Sequence, residues 1–583
     1  PDDDQRRPAE LVRAAQNRPQ HEDPVEKVQE EQKDKHLNKI KKALPMLLPQ
    51  QAEDVCIAED RFKEHSGMMF TNGTGTGKTY TGLGIVKRFV DADKKNILII
   101  APSDGILKQW EEAAAKDFGI ALTRLNSTKD AGKGAVTATY ANVGANQALV
   151  NRDFDLVITD ESHNLMGSES ATPTDALKLV RAVTGHKDGF QRYHHDKHPE
   201  ISSKLDKLHE EIKKLHKQDN QNSKAYNETH DPSLADESRG IRNQIEKLEE
   251  EQSKWHKKLE AFKDADEKAF AEKQPSKVLF LSATPFQYVA DLDYANGYLF
   301  NYSDYGPMDE QGYNRANGRE IFYMENFGYK MRYNRLERPS ADVDTDLMER
   351  EFNRKMVESG AMHGRMLSSA YDYDRGFIRV DAGIGKKIDE GFDWLRDQPK
   401  YSELSDFLRG RFTGQQKYYL LEAIKAKQAI PLIKEYLKEG KKVVIFHNFN
   451  KGGADNPFAI SRAGMDHLER LDSELADHIL EQYHEFQAER PDLADLDLND
   501  LESPIETLSK AFGDELVLYN GTLSKGEREK NKNSFNNDDS KTKIILVQSA
   551  AGQAGVSLHD TTGKYQRALV NLGLPTRPSE AIQ

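Results

Sequence analysis

The stretch that decides the fold is "MMFTNGTGTGKTYTGLGIV", Met68 to Val86. A short apolar run leads into glycines that alternate with threonine, then a lysine, then residues of helical spacing. Strand, glycine loop and helix in that order make a loop that wraps phosphate. The backbone amides of Gly73, Gly75 and Gly77 reach the anion, helped by a helix N-terminus. Lys78 supplies a point charge for β- and γ-phosphates, and Thr79 a hydroxyl for Mg²⁺, so the ligands implied are ATP and Mg²⁺. Asn72 stands where the strict G-x-x-x-x-G-K-T form has glycine.

An ATP site needs an acidic residue at the end of a neighbouring strand, and "FDLVITDESHN" (154–164) supplies it. Asp160 would hold Mg²⁺ through water, and Glu161 would orient and polarise the attacking water. Around these motifs the runs "NILIIAP" (96–102) and "AVTATY" (135–140) alternate with helical spacing, the mark of βαβ units on a parallel sheet. "SKVLFLSATPF" (276–286) is a further strand, separated from Asp160 by a long insertion.

The insertion declares itself by period. Ile201, Leu205, Leu208, Ile212 and Leu215 are spaced 4, 3, 4, 3, and Ile241, Ile245, Leu248, Gln252, Trp255, Leu259 and Phe262 continue the alternation. Such a repeat predicts two helices packed as an antiparallel coiled-coil hairpin, with the polar stretch 217–240 at its tip. The arm reads as a lever, a DNA-probing pin, a dock for a protein partner, or a solvated structural arm.

A second α/β pattern starts at "KKVVIFHNF" (441–449) and resumes with "ELVLYNG", "KTKIILVQSAAGQAGVSL" and "RALVNLGLP". The fold class expected is therefore α/β, with two RecA-like parallel-sheet lobes carrying helical insertions. Residues 1–36 read as a flexible leader or linker, and 37–300 as the first lobe, with the hairpin at about 195–270. Residues 301–440 form a helical or irregular connecting region, and 441–583 the second lobe, with a helical insertion at about 455–510.

Composition narrows the setting. The 583 residues are 37% hydrophobic and 31% charged, with a net charge of -14, so nucleic acid can be met only at a local basic surface. The single cysteine, Cys56, excludes an internal disulfide framework and reads as a small buried hydrophobe. No apolar run approaches a membrane span, and no secretory signal is visible. The chain, which starts at Pro1, is expected to be cytoplasmic, or a piece of a longer protein.

With "GTGTGKT", "DESH" and "LSATP" in this order, the chain resembles the superfamily 2 helicases and translocases, the DEAD/DEAH-like group. The resemblance implies that Gln51, in "LLPQQAEDV", contacts adenine. It implies nucleic-acid backbone contacts for Pro102 and Ser103, for Thr139 and Tyr140, and for the strand end at His447, Asn448 and Phe449. Ser282, Ala283 and Thr284 would couple hydrolysis to lobe movement, with His163 as their partner. "YNGTLSKGEREKNKNSFNND" followed by "IILVQSAAGQAGVSLHD" is similar to the second lobe of Swi/Snf-like and strawberry-notch-like proteins, and "MVESGAMHGRMLSS" and "GFIRV" resemble the latter type. There Ser549, Gly552 and Gly555 would form a loop facing both ATP and nucleic acid. The family's final Q-x-x-G-R-x-x-R motif would begin at Gln583, so its arginine finger lies past the last residue. A finger contributes about 10³–10⁵ in rate in phosphoryl transfer, so weak hydrolysis by this piece is expected.

These readings imply an ATPase motor on nucleic acid, translocating on or remodelling double-stranded DNA in a bacterial or phage-infected cell. The alternative is an ATP-binding switch or scaffold that recruits protein partners through its helical insertions. Two weaker signals complete the reading. Arg315, Arg319, Arg332 and Arg335 interleave with Tyr323, Phe327, Tyr329 and Tyr333, which suits phosphate contact and base stacking or, equally, the packing of a small subdomain. His194, His195 and His198 in "RYHHDKH" lack any cysteine or matching distal pair, and read as a solvated loop at the base of the arm.

Overall fold

The computed structural model describes residues 24–73, 75–166, 173–229, 231–283, 289–306, 316–333, 335–340, 343–365, 376, 383–453, 455–469, 474–552, 556–560 and 562–573. The chain divides into two compact units, 1–367 and 368–583. The division falls inside the stretch read from sequence as a connecting region.

The first unit is built on a sheet whose strands follow the apolar runs: β1 (Gly67–Phe70), β2 (Ile97–Ala101), β3 (Thr123–Arg124), β4 (Ala135–Thr139), β5 (Leu156–Asp160) and β6 (Lys277–Leu281). A separate antiparallel pair, β7 (Lys330–Arg332) and β8 (Arg335–Glu337), precedes β9 (Met362–His363), which returns to the main sheet. The order β3-β4-β2-β5-β6-β1-β9 is parallel throughout. Strands β1, β2 and β5 are buried along their whole length, as expected of a parallel sheet covered on both faces. Register does the positioning. Phe70 and Asp160 both pair with Leu281, and Ala101 pairs with Thr139. The chain therefore leaves β1, β5 and β6 at one level, and the motifs that follow these strands share the C-terminal edge, where α/β sheets bind ligands.

Between β5 and β6 the chain builds the arm. Helices Pro199–Thr229 and Pro232–Glu260 run antiparallel, as the pairs Lys204–Glu251 (3.0 Å) and Asp219–Arg242 (3.0 Å) require. Ile212, Ile241 and Ile245 form its buried contact. The chain reverses between Thr229 and Pro232, within the polar stretch 217–240, and the helices continue close to that turn, as its Lys, Ala, Glu and Gln favour. Helix Gly318–Phe327 packs Phe322, Tyr323 and Phe327 against Phe352 and Leu292, so part of the Arg- and Tyr-rich stretch is a small hydrophobic core. Tyr333, by contrast, is 88% exposed at the turn between β7 and β8.

The second unit carries a sheet of β10 (Lys442–His447), β11 (Leu516–Tyr519), β12 (Ile544–Gln548) and β13 (Arg567–Asn571), all parallel, in the order β11-β12-β10-β13. Helix Gly414–Lys438 buries Ala426, Ala429 and Ile433 in the same core as Val443, Ile445 and Ile544. Among the described residues, no helix is long and apolar enough to cross a membrane.

Candidate functional site

The phosphate loop leaves β1 and closes on helix Lys78–Asp91. Gly75 (φ 81°) and Gly77 (φ 79°) are left-handed, the conformation glycine tolerates best. Gly77 is also pinned by space, since a Cβ there would lie 2.3 Å from Nε2 of Gln51. Gln51, buried on helix Pro49–Glu64, donates to the carbonyls of Thr76 (3.3 Å) and Gly77 (3.4 Å), so it sits directly against the loop. Lys78 Nζ donates to the carbonyl of Asn72 at 3.2 Å and lies 3.8 Å from Glu161 Oε1. Thr79 is the second residue of the loop's helix.

Asn72 explains its own departure from the motif. It is 2% exposed, its Nδ2 donates to Asp54 at 2.9 Å, and its Oδ1 accepts the backbone N–H of Arg365 at 3.0 Å. The Arg365 guanidinium donates to Asp54 at 2.7 Å and lies 3.1 Å from Glu53 Oε2, and its carbonyl accepts the Gly73 N–H at 2.8 Å. Glycine at 72 would remove the two Asn72 side-chain bonds from this brace. Burial pushes the Asp54 carboxyl up, opposed by Arg365.

On the other side of the loop, Asp160 is 6% exposed and accepts the Trp110 indole N–H at 2.8 Å. Burial and the adjacent Glu161 push its carboxyl up to about 6. Glu161 has φ 53°, a left-handed conformation uncommon outside glycine that marks local strain. Tyr140 donates its hydroxyl to the carbonyl of Asp160 at 2.8 Å and so helps fix that turn. Ser282 Oγ donates to Glu161 at 3.3 Å and lies 3.1 Å from His163 Nδ1, an arrangement that makes His163 the donor to Ser282. Burial and Lys78 hold His163 down to about 4, which keeps it neutral at pH 7. Lys78, Glu161, Ser282 and His163 thus form one contiguous group.

Other residues singled out from sequence lie elsewhere. Ser103 and Thr139 cap the helices that follow β2 and β4, accepting from Ile106 N (3.4 Å) and Asn142 N (3.3 Å). Pro102 is partly exposed beside Ser103. In the second unit His447 is 0% exposed, with Nδ1 bonded to the carbonyl of Phe449 at 3.0 Å, and burial holds it down to about 4. Ser549 donates to the carbonyl of His447 at 3.1 Å. Gly552 approaches Val547 so closely that a Cβ would lie 2.5 Å from its Cγ1. Thr284, Gly555, Arg315 and Gln583 lie outside the described residues. His194 and His195 lie on helix Phe190–Lys197, with His194 buried, so the reading of this stretch as a solvated loop is corrected. Sequence reasoning missed Asp54, Trp110, Arg365 and Glu422. Only Asn72's departure from the motif pointed toward any of them.

A glycine loop, an acidic strand end and a serine–histidine contact therefore share one edge of a parallel sheet. Residues 22–184 match the family described as "Type III restriction enzyme, res subunit". An Escherichia coli protein described as a type I restriction enzyme EcoAI endonuclease subunit is 29% identical over 126 residues, 20% of this chain and 16% of that protein. The match therefore spans only a small part of the relative's length. The SWI2/SNF2 ATPase core of Sulfolobus solfataricus, solved in complex with dsDNA, aligns over 90% of this chain and 86% of its own at 13% identity, with a TM-score of 0.31. The ATPase core domain of the same organism aligns over 90% and 84% at 12% identity, also with a TM-score of 0.31. These low scores carry no weight here; the family match and the site do. Over residues 22–184, then, the chain is similar to a helicase-type restriction-enzyme family.

Proposed function

We propose that this protein is an ATP-driven motor that translocates on or remodels double-stranded DNA. The observation that carries the ATPase part is the group formed by Lys78, Glu161, Ser282 and His163 beside a loop whose glycines are conformationally required. The DNA part rests on kinship with restriction-enzyme subunits and on the second-lobe resemblance in sequence.

In this reading Lys78 leaves Glu161 for the β- and γ-phosphates when nucleotide enters, which frees the Glu161 carboxylate to orient water and accept its proton. Burial raises the Glu161 carboxyl, which suits it to hold a proton. Ser282 and His163 sense that change because both stand on the same carboxylate. Asp160 and Thr79 fit a divalent cation: the acid is buried beside a like charge, and a cation restores its ionised form. Mg²⁺ bound there supplies charge neutralisation of the phosphates. Gln51 reads adenine, while Ser103, Thr139, His447 and Ser549 serve the nucleic-acid track. By resemblance alone, Gly552 and Gly555 are assigned to nucleotide and Thr284 to coupling.

Steady-state ATPase measurements on the full chain, with and without linear duplex DNA, test the proposal. Stimulation by duplex that disappears in Lys78→Ala is the expected result. Equal rates with and without DNA, in a protein that binds ATP, would favour the switch or scaffold reading.

A further inference from the structure

Helix Phe190–Lys197 leads into the outgoing arm helix, and helix Lys263–Ala271 receives the returning one. At this root three ligand atoms converge. His194 Nδ1 lies 2.6 Å, and His198 Nε2 2.7 Å, from the same oxygen, Oδ2 of Asp266. The two histidines are one helical turn apart, which brings both imidazoles over one place. The acid comes from the opposite root of the arm. Phe190 stacks on the His194 ring at 5.6 Å and Phe262 on the His198 ring at 4.3 Å, so both imidazoles are held in orientation. His194 is 8% exposed and Asp266 7%.

One carboxylate oxygen, Oδ2 of Asp266, serves both imidazoles. Three donor atoms from three side chains on two separate segments thus already meet within the reach of a single ion.

We propose that His194, His198 and Asp266 form a zinc-class divalent metal site that staples the two roots of the arm. Two imidazoles and a carboxylate, with water in the fourth position, are a donor set that zinc accepts in tetrahedral geometry. Bonds of about 2.0–2.1 Å at tetrahedral angles place donor atoms about 3.3 Å apart, so loading opens the group by roughly half an ångström. The ion replaces both N–H···O bonds. Each imidazole remains neutral by carrying its proton on the outer nitrogen, and the carboxylate offsets one of the two positive charges. Mg²⁺ prefers all-oxygen octahedral surroundings, so the metal at the nucleotide site does not compete. Ordering both roots fixes the direction in which the arm leaves the lobe.

The test is a titration of the chelator-stripped full chain with Co²⁺ in the absence of nucleotide, followed by displacement with Zn²⁺. One equivalent of Co²⁺ with a tetrahedral absorption band, displaced by one equivalent of Zn²⁺, is expected. Affinity should drop at least tenfold in Asp266→Asn and in His198→Gln. His36→Ala should bind as the parent does; it removes a ligand from the one other three-residue group of this kind among the described residues, His36, Cys56 and Asp60. Absence of saturable Co²⁺ binding, or equal binding by parent and variants, overturns the site. Should Asp266→Asn fail to fold, His198→Gln, which alters only a half-buried ring, decides the matter alone. Circular dichroism of each variant separates lost binding from lost structure.

Discussion

The C-terminal edges of the two sheets each hold a buried acid, and the acids are used in opposite ways. In the first unit Asp160 and Glu161 lie side by side with raised carboxyls, and Glu161 adopts a left-handed backbone. In the second unit Glu422 is as deeply buried and burial raises its carboxyl too, yet its two oxygens accept the backbone N–H groups of Asn448 (2.8 Å) and Phe449 (3.3 Å). One edge holds its acids on side-chain partners and a strained turn; the other has its acid tied to the main chain. A site that must react to a ligand keeps groups whose state can change. An acid saturated by amides holds a loop in place.

The sharpest way to break the contrast is Glu161→Gln. The amide keeps the shape and the contact with Ser282 but cannot take a proton, so kcat should fall by about 10²–10⁴-fold with nucleotide binding retained. A phosphate-release assay paired with nucleotide titration separates the two. A variant of near-normal kcat would move the general base elsewhere.

Arg365→Ala comes next. It leaves Asp54 buried without its cation and frees the phosphate loop from its brace, at a cost of about 3 kcal/mol in stability. Urea unfolding measures the loss, and KM for ATP should rise with it. Asn72→Ala should cost less, because Arg365 still pairs with Asp54. On the second edge Glu422→Ala should cost about 2 kcal/mol by orphaning two backbone donors, while ATP binding by the first unit stays unchanged. If Glu422→Ala lowered stability no more than a surface change does, the structural reading of that edge would fail.

These effects differ in how far they could be read in advance. Lys78, Asp160, Glu161, His163 and Ser282 were legible because each follows a strand of unmistakable period, and parallel register then brings strand ends to one level. The Asn72–Arg365 brace was not legible. Its partners are 293 residues apart, and they meet through β9, a two-residue strand with no period to detect. The arm's repeat is plain in Leu205, Leu208, Ile212, Ile241 and Ile245, and the helices reverse between Thr229 and Pro232, within the polar stretch. The histidines at its root looked unsupported, since Asp266 stands 68 residues beyond His198 and becomes a neighbour only once the arm folds back. Tyr323 and Tyr333 belong to one compositional run, but only burial tells them apart.

The smallest effect expected has an inverted sign. Asp160→Asn should abolish hydrolysis, yet without ligands it should raise stability at pH 8 by about 1–2 kcal/mol. The reason is that Asp160, pushed up to about 6, is ionised at pH 8 in both folded and unfolded chains, and only the folded chain bears the cost of burying that charge. Below about pH 6 the folded carboxyl takes up a proton while the unfolded one stays ionised until near its ordinary value of 3.8, so the cost fades as pH falls through this window. The advantage of the variant should therefore shrink between pH 6 and 4. His163, held near 4, acts in the opposite sense: protonation of the unfolded chain removes stability as pH falls below 6.5. The parent's own curve mixes the two, whereas the parent–variant difference removes the His163 contribution and reports Asp160 together with its coupling to Glu161. Thermal melts of both proteins across pH 4–8 give that difference, and a variant less stable than the parent at pH 8 would mean that contacts favouring the Asp160 charge outweigh the cost of burying it.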